Sequence, residues 1–77
     1  MSRTITDADL LVWEVYPSGS RRGFADDTVI VFRCVSDRSL RARFVQIGGD
    51  AADAQSAVTT LPDQALLRLL GETKPLP

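Results

Sequence analysis

The 77-residue chain has room for one small domain, and it carries a formal net charge of −1 and no histidine. A domain near this size buries only about 60% of its extended-chain surface, so we expect a thin margin of stability. The single cysteine excludes an internal disulfide, and the lack of histidine excludes a zinc site of the Cys/His kind. The near-neutral charge offers no whole-molecule attraction for nucleic acid or anionic lipid.

The N-terminal residues carry no pattern typical of export or membrane insertion. Residues 1–15 lack a charged segment followed by about 7 to 15 apolar residues, and no apolar run reaches the roughly 18 residues of a membrane span. We therefore expect a cytoplasmic protein without a membrane-spanning segment. Peripheral association with a membrane complex, through a protein partner, is compatible with this sequence.

Three strands are predicted in the first two thirds of the chain. The first is Leu10 to Tyr16, which is rich in β-branched and aromatic residues and stops before Pro17. The second, Thr28 to Val35, has the strongest strand pattern, and the third, Leu40 to Ile47, alternates in polarity up to a Gly-Gly pair. Four residues of turn-forming type, SDRS, join the last two as a hairpin.

Helical patterns follow in the last third. Asp50 can cap a short second helix over Ala51 to Val58. The spacing of Thr60 and Asp63 matches a capping box, so a C-terminal helix is predicted from Pro62 to Leu70. The expected fold is α+β: a three-stranded antiparallel meander with a C-terminal helix, in a single domain over residues 1–71. Residues 72–77 are expected to form an extended arm.

Alternation along the strands divides the sheet into two faces. One face collects eight apolar side chains and the thiol, namely Leu11, Trp13, Val15, Ile30, Phe32, Cys34, Leu40, Ala42 and Phe44. We expect the C-terminal helix to cover this face through Leu66, Leu69 and Leu70.

The opposite face is roughly two thirds apolar, with arginines along part of it, which is unusual for the wet side of an antiparallel sheet. Either the Ala-rich segment folds over it or a partner binds there. A long connection between the first two strands adds an aromatic side chain that could anchor the partner. The predicted partner-binding residues are Tyr16, Phe24, Val31, Arg33, Arg41, Arg43 and Val45.

The pattern of polar residues does not favour a catalytic or metal-binding role. Cys34 has no histidine to activate it and alternates toward the core, which favours a buried structural thiol. Ser36, Asp37 and Ser39 are typical turn residues. The spacing of the aspartates matches no EF-hand loop. We therefore predict no catalytic residue, no metal site and no cofactor.

The arginines permit a second interpretation. Arg33, Arg41 and Arg43 are expected to share one sheet face, from which they could follow a phosphate backbone. Glu14 on that face, the lack of a net positive charge and the lack of an RNA-recognition aromatic motif speak against it. A regulatory or nucleic-acid-binding module is accordingly the alternative function, and no nucleic-acid partner is the expectation.

The stretch FRCVSDRSLRARF, followed by GGDAADA, resembles small uncharacterised bacterial proteins of about this length. It is also similar to a small soluble accessory subunit on the cytoplasmic side of a bacterial photosynthetic reaction-centre and light-harvesting complex. The likeness covers Thr28 to Ala57 and holds no diagnostic motif, so it transfers no site residue. It implies a structural subunit without cofactors. Our sequence-based hypothesis is a non-catalytic accessory subunit that docks on a larger protein assembly.

Overall fold

A computed structural model describes residues 2–18, 28–47 and 51–76. These residues form β1 (Arg3–Thr6), β2 (Val12–Ser18), β3 (Val29–Cys34), β4 (Arg43–Gln46), α1 (Ala51–Thr60), α2 (Asp63–Leu70) and β5 (Lys74–Pro75). The strands make one antiparallel sheet in the order β1-β2-β3-β4-β5. The α+β class is confirmed. The predicted count of three strands is wrong, because the described residues contain five.

The two unpredicted strands lie at the edges of the sheet. In β1, Ile5 lies opposite Trp13 of β2. In β5, Lys74 lies opposite Phe44 of β4. β1 contains the β-branched run Thr-Ile-Thr, a strand signal that the prediction did not use, whereas β5 has two residues, one of them proline.

The predicted extended arm, residues 72–77, is paired with the sheet over residues 73–76, which lie along Ala42 and β4. The guanidinium of Arg43 donates to the hydroxyl of Thr73 over 2.7 Å and to the Thr73 carbonyl over 2.9 Å. The amide of Leu76 donates to the Ala42 carbonyl over 2.8 Å. Thr73 is buried as a result.

The faces of β4 are reversed relative to the sequence prediction. Phe44 lies opposite Val31, whereas Val45 lies opposite Ile30 and points to the core face. A shift of one residue moves every side chain of a strand to the other face. The four-residue SDRS connection already implied this register, because it pairs Val35 with Leu40. The prediction chose the core face of this strand by its apolar content. Both faces of the strand carry apolar residues, so that criterion chose the wrong one.

Both helices pack on the same face of the sheet. Val58 of α1 and Leu66 of α2 join a buried cluster that also contains Ile5, Trp13, Val15, Ile30, Phe32 and Cys34. Leu66 is fully buried, as predicted, while Leu69 and Leu70 are half-buried against the cluster. The Ala-rich segment therefore does not cover the second face.

The junction between the helices differs from the predicted capping box. Thr60 is the last residue of α1, and its hydroxyl donates to the Ser56 carbonyl over 2.6 Å. Pro62 takes the N-cap position of α2 without a side-chain cap. Gly71 ends α2 as predicted.

Arg3 of β1 fastens this junction to the sheet. Its guanidinium donates to the carbonyls of Val58, over 3.1 Å, and of Leu61, and it pairs with the carboxylate of Asp63. The arginine thereby binds one of the last carbonyls of α1 and the carbonyl of the residue that follows the helix.

Candidate interaction surface

The sheet face opposite the helices is referred to here as the helix-free face. By strand register, its described side chains are Thr4, Thr6, Val12, Glu14, Tyr16, Ser18, Val29, Val31, Arg33, Phe44, Gln46 and Lys74. Neither α1 nor α2 lies on it, because both pack in the cluster on the other side.

An apolar strip crosses the centre of the helix-free face. Val31 is 4% exposed and lies between Tyr16 of β2 and Phe44 of β4 in the register. Tyr16, Phe44 and Val29 are half-buried. Because Val31 is already buried, the apolar area that a partner can bury on this strip comes from the half-buried side chains of Tyr16, Phe44 and Val29.

One ion pair borders this strip. Arg33 lies opposite Glu14, and its Nη2 is 2.9 Å from Oε1 of that glutamate. The side chain of Arg33 is 60% exposed. An exposed pair of this kind is weak. Because only Nη2 is bonded to Glu14 and the side chain is largely exposed, the rest of the guanidinium can bind a second acidic group.

The structure brings together only part of the predicted partner-binding set. Tyr16, Val31 and Arg33 share the helix-free face. Arg43 and Val45 do not: the register of β4 places both on the helix-covered face. Arg41 lies outside the strands, with Nη1 3.5 Å from the Leu76 carbonyl. Phe24 lies outside the described residues, as does the predicted helix cap Asp50.

The expectation that three arginines share one face is therefore wrong. Arg43 donates hydrogen bonds to Thr73 on the helix-covered face of the sheet, and Arg33 pairs with Glu14 on the helix-free face. This separation removes the continuous arginine ladder on which the nucleic-acid interpretation was based.

Three large apolar residues are exposed, and one of them, Leu40, was wrongly predicted to lie on the core face. Leu10, Val35 and Leu40 are the large exposed hydrophobic side chains among the described residues, and all lie at the end of the sheet where β2 and β4 begin. Leu10 is 80% exposed and has φ 65°, in the left-handed region that a leucine rarely adopts. The turn-forming sequence Asp-Ala-Asp that precedes Leu10 could have indicated that this leucine lies in an exposed turn.

Two open clefts flank Leu40. The first, the arginine cleft, has a volume of about 360 Å³ and is lined by Arg33, Cys34, Val35, Arg38, Leu40 and Ala42. The second, of about 400 Å³, has Asp7 and Asp9 on one side and Arg41 and Arg43 on the other. Among the described lining residues, the second cleft has two acidic and two basic side chains, whereas the charged side chains of the first are both arginines.

Among the described residues, two carboxylates have a pKa below the ordinary 3.8. The pKa of Asp7 is lowered mainly by the indole N–H of Trp13, which donates over 2.9 Å, with further amide bonds from Leu11 and Asp9. The pKa of Asp37 is lowered by the hydroxyl and the amide of Ser39. Each carboxylate organises a turn in its charged form.

The other polar residues of the sequence analysis also have structural contacts. Cys34 is buried, as predicted, with its sulfur 3.6 Å from the hydroxyl oxygen of Ser36. That hydroxyl accepts the Val12 amide over 2.9 Å. Ser39 donates to Asp37 from both its amide and its hydroxyl, which confirms their predicted place in a turn.

Neither protein-family models, nor curated proteins, nor solved structures yield a match to this chain. In the described ranges, no three His, Cys, Asp or Glu side chains gather as a set of metal ligands. None of the helices in those ranges has the length and apolar character needed to cross a membrane.

Proposed function

We propose that this protein is a non-catalytic accessory subunit that docks on a larger protein assembly through its helix-free face. The observation that carries the proposal is the apolar strip of Tyr16, Val31 and Phe44 on the side of the sheet opposite both helices. The expectation that this face is two thirds apolar is wrong, since seven of its twelve described side chains are polar or charged, as is normal for the wet side of an antiparallel sheet; the apolar strip is confined to its centre. Aromatic and arginine side chains are the types that most often dominate binding energy at protein interfaces.

The first assembly to test is the one that the sequence resemblance implies. A cytoplasmic subunit of a photosynthetic reaction-centre complex would bind peripherally, through protein contacts. The helix-free face suits this role because aromatic area and a bordering arginine can meet an apolar patch with an acidic margin.

A matched pair of double variants tests the proposal by affinity isolation from the native cell. Tyr16→Lys with Lys74→Glu alters the helix-free face at two positions outside the arginine cleft. Gln64→Lys with Arg68→Glu makes the same change in charge at two exposed positions of α2. We expect the first variant to lose the co-purifying assembly, and the second to retain it.

Circular dichroism and thermal melts establish that both variants remain folded. Retention of the same partner proteins by the folded helix-free-face variant would contradict the proposal. So would a wild-type sample that brings down no protein above an untagged control.

A further inference from the structure

The arginine cleft is continuous with the helix-free face and has a distinct chemistry. Arg33 belongs to both, since it lies on that face and also lines the cleft. The cleft then passes between Val35, which is 40% exposed, and Leu40, which is 39% exposed. A ligand in this cleft would therefore contact both apolar side chains and arginine.

Arg38 is the unneutralised cation of the cleft. It is exposed, and it has no hydrogen bond or ion pair with any residue in the described part of the chain. Arg33, by contrast, has Glu14 as its partner. The turn that bears Arg38 is ordered by Asp37, whose carboxylate accepts two bonds from Ser39. The guanidinium is thus presented beside an apolar cleft from a defined turn.

We propose that the arginine cleft binds an acidic, aliphatic segment of the partner protein: one leucine-like side chain between Val35, Leu40 and Ala42, with adjacent carboxylates on Arg38 and Arg33. This inference rests on the proposed function and names the chemistry of the partner. Charge complementarity selects the carboxylates, because the described residues that line the cleft include two arginines and no acidic residue. The guanidinium fork can bind a carboxylate through two parallel hydrogen bonds.

The form of the cleft favours a protein segment over a free small anion. Sites for small molecules are concave and fix their ligand with a few buried polar groups. Among the described residues, every buried side-chain nitrogen or oxygen already has a hydrogen-bond partner. Affinity must therefore come from apolar area together with exposed arginine, which a peptide chain supplies and inorganic phosphate does not.

Titration of the ¹⁵N-labelled full chain with three probes tests this inference without knowledge of the partner. The probes are a seven-residue peptide of alternating Glu and Leu, the same peptide with Lys in place of Glu, and inorganic phosphate. We expect the Glu-Leu peptide to give saturable shifts of the Val35, Arg38 and Leu40 amides. The Lys-Leu peptide and phosphate should leave the chemical shifts of these three amides unchanged.

Arg38→Ala should weaken the Glu-Leu peptide by about tenfold, the effect of losing one charge-assisted contact. Arg68→Ala, which removes an exposed arginine from α2, should leave its affinity unchanged. Equal shifts with the Lys-Leu peptide, equal shifts with phosphate, or no saturable shift at all would overturn the inference.

The outcome is separable from that of the proposed function. Failure of peptide binding, with loss of the assembly in the helix-free-face variant, would overturn only the cleft assignment. Selective peptide binding, with an assembly that survives the helix-free-face variant, would support the cleft and overturn the proposed docking face.

Discussion

Asp7 organises the turn between β1 and β2. Its Oδ1 accepts the amides of Asp9 over 2.9 Å and Leu11 over 3.0 Å, and its Oδ2 accepts the indole N–H of Trp13. The amide of Leu10 donates to the Asp7 carbonyl over 3.0 Å, which completes the turn that holds Leu10 at positive φ. One carboxylate thus links an exposed loop to a core tryptophan.

Acid should weaken the fold through Asp7. Since the folded-state pKa of Asp7 lies below its ordinary 3.8, the carboxylate stabilises the protein above that value. This stabilisation is lost as the pH falls from about 3.8 through the lowered folded-state pKa. Asp7→Asn should therefore be less stable than the wild type at pH 6, and the difference should shrink at pH 2.5.

Urea denaturation at the two pH values, followed by the fluorescence of Trp13, measures this difference. Asp9→Asn is the control, because Asp9 contributes only its amide to the bonds of the turn. If the difference in unfolding free energy between Asp7→Asn and the wild type stays constant with pH, the stabilising role of the charged Asp7 carboxylate is contradicted.

The contacts of Arg3 predict unequal effects for the two partners of an ion pair. Arg3→Met removes the donor to two carbonyls at the end of α1, and we expect it to cost about 1.5–3 kcal/mol of unfolding free energy. Asp63→Asn should cost only about 0.2–1 kcal/mol, because the Asp63 side chain is 64% exposed. Urea denaturation of both variants gives the comparison. Equal costs would mean that the ion pair, and not the carbonyl contacts, carries the effect.

At the scale of secondary structure, strong periodic patterns predicted the elements and weak ones did not. β3 was predicted from its run of β-branched residues, and α2 from leucines at i, i+3 and i+4 spacing. Each of these patterns indicates one type of secondary structure. β4 was found with its faces exchanged, because Phe44 and Val45 are both apolar and only the hairpin register separates them. β5 carries no pattern, and it is held by Arg43 and by pairing with β4.

The two leucines of α2 should differ in their effect on stability. Leu66 is fully buried between the helix and the sheet, so Leu66→Ala should cost about 2–5 kcal/mol through lost burial and a residual cavity. Leu69→Ala should cost less, since Leu69 is half-buried at the border of the cluster. Thermal and urea melts test the order, with Gln64→Ala on the exposed side as the control. A larger loss of stability for Leu69→Ala than for Leu66→Ala would show that α2 is rotated about its axis, with Leu69 toward the core.

Across the whole molecule, both helices and the core lie on one side of the sheet, and the helix-free face and the arginine cleft join on the other side and at one end. The sequence predicted Tyr16, Val31 and Arg33 as one surface because they lie on two well-defined neighbouring strands. It missed Arg38 and Leu40 as a joint feature. Their proximity depends on the path of the β3–β4 connection, which alternation does not determine.

Photo-crosslinking in the native cell tests the docking of the helix-free face most directly. A photoreactive amino acid is placed singly at Thr4 or Arg33 on that face, and at Gln64 on α2 as the control; all three positions are exposed. The proposal predicts irradiation-dependent adducts with the same partner protein from Thr4 and Arg33, and none from Gln64. Adducts from Gln64 alone, or no adduct from either position of the helix-free face, would contradict it.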